Sequence, residues 1–252
     1  MRRTMTALFT LAAGLPATAT ADVVGVSVGA GVWNQDPGGD IRYRGDRVDV
    51  EDDLSIGSEM ETFVWADLRH GVPLLPSLRL QYTPVDLSGD GELVRSFEFG
   101  GQTFSGSEDV ASQIELEQTD VALYWTPWST VVDLDLGVNI KYLDGRAEVE
   151  SQDLSNRESV EFSGPVPMAY AATEARLPGT GLFGGASGSY VTFDGSELVD
   201  IALRAGYRAD LGPGSLALEG GWKYQNLELD DLDDVDADIT IEGPYAGISA
   251  RF

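Results

Sequence analysis

No cysteine occurs in the 252 residues, which excludes disulfide cross-links, thiol nucleophiles and thiolate metal sites. Histidine is almost as scarce. His70 is the only one, so imidazole acid–base chemistry has a single candidate in the whole chain. Positive charge is thin as well: Lys and Arg number 16 against 42 Asp and Glu, a formal net charge of -26. Nucleic acid is disfavoured as a partner, because phosphate binding needs clustered Lys and Arg. Long apolar runs are also missing, and mean hydropathy is near neutral. That excludes a bundle of spanning helices. It leaves spanning strands open, since these hide an apolar face by alternation.

What is present begins with MRRTMTALFTLAAGLPATATA: basic Arg2 and Arg3, an apolar run from Ala7 to Leu15, then small residues. Ala19-Thr20-Ala21 fits the A-x-A cleavage pattern, and the apolar run falls well short of the roughly 20 residues a membrane helix needs. The expectation is a cleaved signal peptide over 1–21 and a single domain over 22–252.

From there the apolar residues recur every second position. Strand one sets Val24, Val26, Val28, Ala30 and Val32 against Gly25, Ser27, Gly29 and Gly31. An acidic loop is expected from about Asn34 to Met60, within which DIRYRGDRVDVEDDL alternates enough to extend strand edges beyond the membrane. A second strand, Glu61 to His70, turns through GVPLLPS into SLRLQYT, where Leu78, Leu80 and Tyr82 oppose Arg79, Gln81 and Thr83. A polar stretch from Asp86 to Gln113 follows, within which SFEFGGQTF reads as a hairpin turning at Gly100-Gly101. DVALYWTPW carries Trp125 and Trp128 around Pro127, the aromatic signature of a strand crossing the lipid headgroup level.

VVDLDLGVNIKYLDG has the cleanest alternation: Val132, Leu134, Leu136, Val138, Ile140 and Tyr142 face one way. Asp133, Asp135, Gly137, Asn139 and Lys141 face the other, over a length that suits a tilted membrane strand of roughly 9–11 residues. Further strands follow over Val160–Leu177 and LFGGASGSYVTF, the latter with no face assignable. Two more run around Val199–Tyr207 and Leu216–Tyr224. Short turns alternate with longer loops that carry most of the acids. The pattern predicts an all-β, closed antiparallel up-and-down transmembrane barrel of about ten strands, with an eight-strand barrel plus an extramembrane hairpin as the alternative.

The last strand, ITIEGPYAGISARF, sets Ala246, Ile248, Ala250 and Phe252 against Tyr245, Gly247, Ser249 and Arg251, and ends on an aromatic. Such an ending looks like the strand by which outer-membrane barrels address their assembly machinery, which makes Phe252 the assembly signal. Together with GAGVWNQDPGGDIRYRGDRVDVEDDL, HGVPLLPSLRLQYT, FGGQTF and LDLGVNIKYLDG, the chain resembles a family of small proteobacterial outer-membrane β-barrels without an assigned activity. The resemblance spans most of residues 22–252 and is densest before about residue 145. It implies the outer membrane of a Gram-negative bacterium and supplies no functional residues.

Candidate chemistry is correspondingly sparse. His70 sits at a short turn, the end opposite to that where barrel hydrolases, by resemblance, carry their sites. Neither a catalytic group nor a cofactor is assigned, and an outer-membrane hydrolase ranks third among the readings. The inward strand faces collect charges of both signs: Arg69, Arg79, Asp133, Asp135, Lys141, Glu174, Arg176, Asp200, Arg204, Arg208, Glu219, Lys223 and Arg251. Paired, they would fill a narrow lumen, since unpaired buried charges are costly.

Acidic runs at Asp49, Glu51, Asp52, Asp53 and at Asp230, Asp231, Asp233, Asp234 invite Ca²⁺ or Mg²⁺, although neither makes a complete EF-hand loop. A halophilic source would explain the acidity equally well. The reading that results is a monomeric, non-enzymatic barrel with acidic extracellular loops. Its structural or interaction role is at the cell surface, toward lipopolysaccharide, divalent ions or a partner. The alternative is a narrow, porin-like passive pore for small solutes or ions. Conductance separates the two.

Overall fold

The computed structural model describes residues 24–43, 45–51, 53–72, 74–92, 96–99, 101–104, 109–151, 157–232 and 235–252. The leader expected at 1–21 lies outside them. Thirteen strands occur among the described residues: β1 (Val24–Tyr43), β2 (Arg47–Asp49), β3 (Glu59–His70), β4 (Ser77–Glu92), β5 (Phe97–Phe99), β6 (Gln102–Phe104), β7 (Asp109–Ser129), β8 (Val132–Ser151), β9 (Arg157–Arg176), β10 (Leu182–Phe193), β11 (Ser196–Asp210), β12 (Ser215–Leu232) and β13 (Val235–Arg251). Neighbours pair antiparallel in chain order, and β13 returns to β1 with Val28 opposite Ala250 and Gly31 opposite Gly247. Ten strands therefore close into a ring with no free edge, β2 pairs only with the top of β1, and β5–β6 form a separate hairpin. The eight-strand alternative drops out, while the hairpin that came with it exists beside the ten.

Both described ends lie at one end of the ring. There Val26 and Phe252 exchange backbone hydrogen bonds of 3.2 and 2.9 Å, and the Phe252 ring is exposed. The turns after β3, β7, β9 and β11 lie at this end too. Trp125 and Trp128, three residues apart, would face opposite ways on a regular strand. A register break between them, at Pro127, turns both outward, and Trp125 Nε1 donates to Leu74 O at 3.3 Å. At the far end the β10–β11 turn is only Asp194-Gly195, with φ of 52° and 90°, so far-end connections are not uniformly long.

The strands run well past the apolar belt, and this corrects the sequence reading. The loop placed at Asn34 to Met60 is strand as far as Tyr43, and the polar stretch Asp86 to Gln113 continues β4 as far as Glu92 and opens β7 at Asp109, with the β5–β6 hairpin between them. Many of the acids assigned to loops therefore lie on strands.

Beyond the belt the alternation changes phase. On β8, Val132 to Tyr142 point outward at even positions, and the odd positions Asp133, Asp135, Asn139 and Lys141 are buried inside. Above Tyr142 the odd positions Leu143 and Val149 become the buried apolar ones, while Asp144 faces out. The same switch occurs on β4 (Leu80 out, then Val85 and Leu87 in) and on β13 (Ile248 out, Ile241 in). Tyr82, Tyr142 and Tyr190 point outward near the switch, as aromatic belts do at a membrane boundary. The lower half is thus apolar outside and polar inside. The upper half is the reverse, as in a barrel surrounded by water.

One stretch of wall is made differently. The β3–β4 ladder spans only Val64–Leu68 against Leu78–Tyr82, and β2 takes over pairing with the top of β1. The chain then turns back tightly inside the wall, where the Asp53 and Leu54 N–H groups donate to Asp49 O at 3.2 and 3.1 Å. Asp53 Oδ2 accepts the Asp49 N–H at 3.0 Å, and Asp49 Oδ1 accepts the Glu51 N–H at 3.0 Å. Val48, Val50, Leu54 and Ile56 drive this segment inward, where they join Ile41, Val85 and Leu87 in the upper core. β10, unassigned from sequence, turns Phe183 and Ser189 inward and Tyr190 outward.

Candidate functional site: a layered lumen

The polar inward face of the lower half gathers into networks. At the end nearer the termini, Arg69 bridges Asp67 at 3.2 Å and Asp135 at 2.7 Å, tying β3 to β8. Tyr124 donates to Asp67 at 2.7 Å and Thr126 to Asp135 at 2.6 Å. Arg176 pairs with Asp133, which also accepts from Ser129 at 2.6 Å. Glu174 takes Arg204 at 3.2 Å and Arg208 at 3.1 Å.

Above these lies a second layer centred on Lys141. Its ammonium, almost wholly buried, donates to Asp120 at 2.9 Å, to Gln118 at 3.0 Å, and reaches Asp200 at 3.1 Å. Asn139 supports Asp120 at 2.6 Å, and Gln225 supports Asp200 at 2.7 Å. Gln118 and Gln225 exchange amide hydrogen bonds of 2.8 and 2.5 Å. This layer links β7, β8, β11 and β12 through the barrel interior.

Four of the inward charges form no ion pair among the described residues. Arg79 lies over the Trp65 ring, 4.5 Å from its centroid. Lys223 lies 3.5 Å from the Phe63 centroid, with Trp33 and Tyr245 completing an aromatic box around it. Glu219 and Arg251 border a polar cavity of about 60 Å³ near the terminal end. With Asp67, Asp120 and Asp210 at the same parity, eight acids match eight bases along the strands and suggest one-to-one pairing; aromatic faces and water-sized spaces take part of the load instead. The signal for the aromatic box was in the sequence. Trp33, Phe63 and Tyr245 sit at inward parity, though nothing short of the ring closure brings them together.

His70, the lone imidazole, is held in its turn. Nε2 lies 3.0 Å from Pro76 O, and Nδ1 accepts the Val72 N–H at 3.3 Å. Of the candidate cation ligands, Asp49 and Asp53 spend carboxylate oxygens on backbone N–H groups, and Asp53 is buried. Asp52, Asp233 and Asp234 lie outside the described residues, as does the Asp231 side chain. No group of three His, Cys, Asp or Glu suited to a metal occurs among the described residues.

Above the Lys141 layer the lumen becomes apolar. A cavity of about 250 Å³ is walled by residues of β1, β7, β8, β9, β11, β12 and β13, including Ile41, Ile114, Leu143, Val160, Leu198 and Leu227. Gln225 lies at its floor, shared with a polar cavity of about 100 Å³ below.

No family model and no curated protein matches the chain. Solved structures do. The outer membrane protease OmpT from Escherichia coli aligns with a TM-score of 0.50 at 11% identity, covering 92% of this chain and 97% of that one. The fold is that of an outer-membrane β-barrel. The transport unit of the autotransporter AIDA-I from Escherichia coli aligns at a TM-score of 0.42 and 9% identity, covering 94% and 92%. The translocator domain of the autotransporter NalP from Neisseria meningitidis gives 0.42 and 10%, covering 93% and 90%. At such identities the likeness concerns the barrel and does not extend to chemistry.

Proposed function

We propose that this chain is a monomeric, non-enzymatic barrel of the Gram-negative outer membrane, closed to passive flux, which acts through the half that stands above the bilayer. The observation that carries the reading is the change of phase. The upper strands are built to face water, with an apolar core of their own resting on the hydrogen-bonded Lys141 layer. Phe252, exposed at the terminal end, serves as the address for barrel assembly.

The upper outer surface supplies the interaction role. Acids dominate it, and among the described residues its few cations are paired: Arg146 with Glu148 at 2.5 Å and Glu161 at 3.0 Å, Arg157 with Glu148 at 2.6 Å. Excess carboxylate next to anionic lipopolysaccharide calls for divalent cations between them. Calcium is expected to raise the thermal midpoint of the barrel in lipopolysaccharide-containing bilayers and a chelator to lower it; an unchanged midpoint removes the cation-bridging part of the proposal. A non-enzymatic role accords with His70, whose two ring nitrogens serve a turn.

The closed state is tested in planar bilayers. The full chain, recovered from the outer-membrane fraction and checked for heat-dependent gel migration, is expected to add no regular current steps in potassium chloride. Stable unitary conductance from the unmodified protein would favour the passive-pore alternative and overturn the closed reading.

A further inference from the structure

The apolar core of the upper half is unevenly filled. On the β1–β4 side the inward turn supplies Val48, Val50, Leu54 and Ile56, all buried, and the wall behind them is packed. On the β8–β12 side no described segment turns in. Val160, Leu227, Leu229 and Ile239 there stay only partly buried around the space of about 250 Å³. Phe162 lies across Gly145, close enough that a Cβ at that position would fall 2.4 Å from the ring edge. The glycine thus lets an aromatic face line the cavity without being pressed further into it.

We infer that this upper chamber is a binding site for a hydrocarbon moiety, either a small free hydrocarbon or the acyl tail of an amphiphile. Size supports it: an apolar cavity of about 150 Å³ already stays dry and takes up benzene, and this one is larger. Chemistry supports it as well. The inward side chains on the wall are aliphatic or aromatic; the charged residues that border it are already engaged, Arg146 with Glu148 and Glu161 and Glu115 with Gln113, and the one amide at the floor, Gln225, is bonded to Gln118 and Asp200. A ligand's deep end thus meets no free donor or acceptor, and a polar group there would be left unpaired. Any head group must stay toward the end away from the Lys141 layer. The inference goes beyond the closed-barrel reading, and a floor that leaked ions would leave it intact.

The test uses the full chain in phospholipid nanodiscs, dialysed to equilibrium against radiolabelled toluene or, separately, radiolabelled decanoate. Empty nanodiscs are subtracted for bulk partitioning. Saturable retention of one molecule per chain is expected for at least one probe. Ala147→Phe, which fills the chamber from β8, should weaken it about tenfold while the heat-dependent gel shift persists. Ala237→Leu is the milder filling variant if Ala147→Phe does not fold, and Glu117→Gln, on the outer face of β7 and away from the chamber, should bind as the parent does. Toluene alone would identify a free hydrocarbon as the ligand, and decanoate alone an acyl tail. Retention no greater than that of empty nanodiscs for both probes overturns the inference, as does retention that the filling variants leave unchanged.

Discussion

Replacing Lys141 by Met is expected to lower the unfolding free energy by about 3–5 kcal/mol, the cost of breaking a buried ion pair from one side only. The ammonium sits between Asp120 and Asp200 at 2.9 and 3.1 Å. Without it, two carboxylates face each other inside the barrel with only Asn139 and Gln225 donating to them. The remaining amides can orient but cannot neutralise. The decisive comparison is the triple variant Asp120→Asn, Lys141→Met, Asp200→Asn, which removes all three charges at similar volume. It should recover most of the loss, because a neutral, well-packed replacement of a buried charge cluster is often no less stable than the original. Equilibrium denaturation in detergent, followed by tryptophan fluorescence, reads both. A loss below about 1 kcal/mol for the single variant would mean that water reaches the layer and screens it. The same variant bears on function: if the layer is the seal, Lys141→Met should show irregular current steps that the triple variant lacks.

How much of this was legible beforehand depends on which half of each strand is considered. The lower half could be read directly. Val132 to Tyr142 alternate with Asp133 to Lys141 without interruption, and nothing but a strand with one apolar and one polar face gives that pattern. The upper half was hidden by composition. Asp, Glu and Gly are poor strand formers by propensity, so NQDPGG and VDLSGDGE look like loops, and only the alternation of DIRYRGDRVDVEDDL hints at strand edges beyond the membrane. Both loop-like stretches are strands because a core on one side and water on the other override propensity, and the outward acids are what a water-facing surface asks for. The missed signal was parity. Val85 and Leu87 are odd-numbered where Leu78, Leu80 and Tyr82 are even, and Ile239 and Ile241 are odd where Ile248 is even.

The lumenal layers were legible as a set of charges and illegible as a set of partners. Which acid meets which base depends on ring closure and strand stagger, and neither is written in local sequence. Asp120 and Asp200 lie 80 positions apart and meet only because β7 and β11 face each other across the interior. The inward turn at 49–54 could not be foreseen for the same reason. Its four apolar side chains, spaced among acids, need the gap above β3 to receive them.

Gly89→Ala should dislodge that turn, whereas Gly91→Ala should be tolerated. Both glycines lie on the inner face of β4 against Ser55, yet the obstacles differ in kind. A Cβ at Gly89 would fall 2.4 Å from the Ser55 carbonyl oxygen and 2.7 Å from that of Leu54, and backbone cannot move aside without carrying the segment with it. At Gly91 the nearest atom, at 2.4 Å, is the Ser55 hydroxyl, which has other rotamers available, and Ser55 Cβ follows at 3.0 Å, a contact that a small shift relieves. Ser55 already holds a left-handed φ of 53°, so the turn has little conformational latitude left. Displacing it would expose Leu54 and Ile56, 4% and 1% accessible in place, each contributing about 1.5–3 kcal/mol by burial. The expected loss for Gly89→Ala is therefore about 3–6 kcal/mol, with new proteolytic cuts between residues 47 and 58 and an unchanged apolar belt. Gly38→Ala, whose Cβ would meet nothing within 4 Å, is the control for adding a methyl group to a strand. Equal protease resistance in Gly89→Ala and Gly38→Ala would show that the turn does not depend on its seat against β4, and the upper core would then have to be held by the ring strands alone.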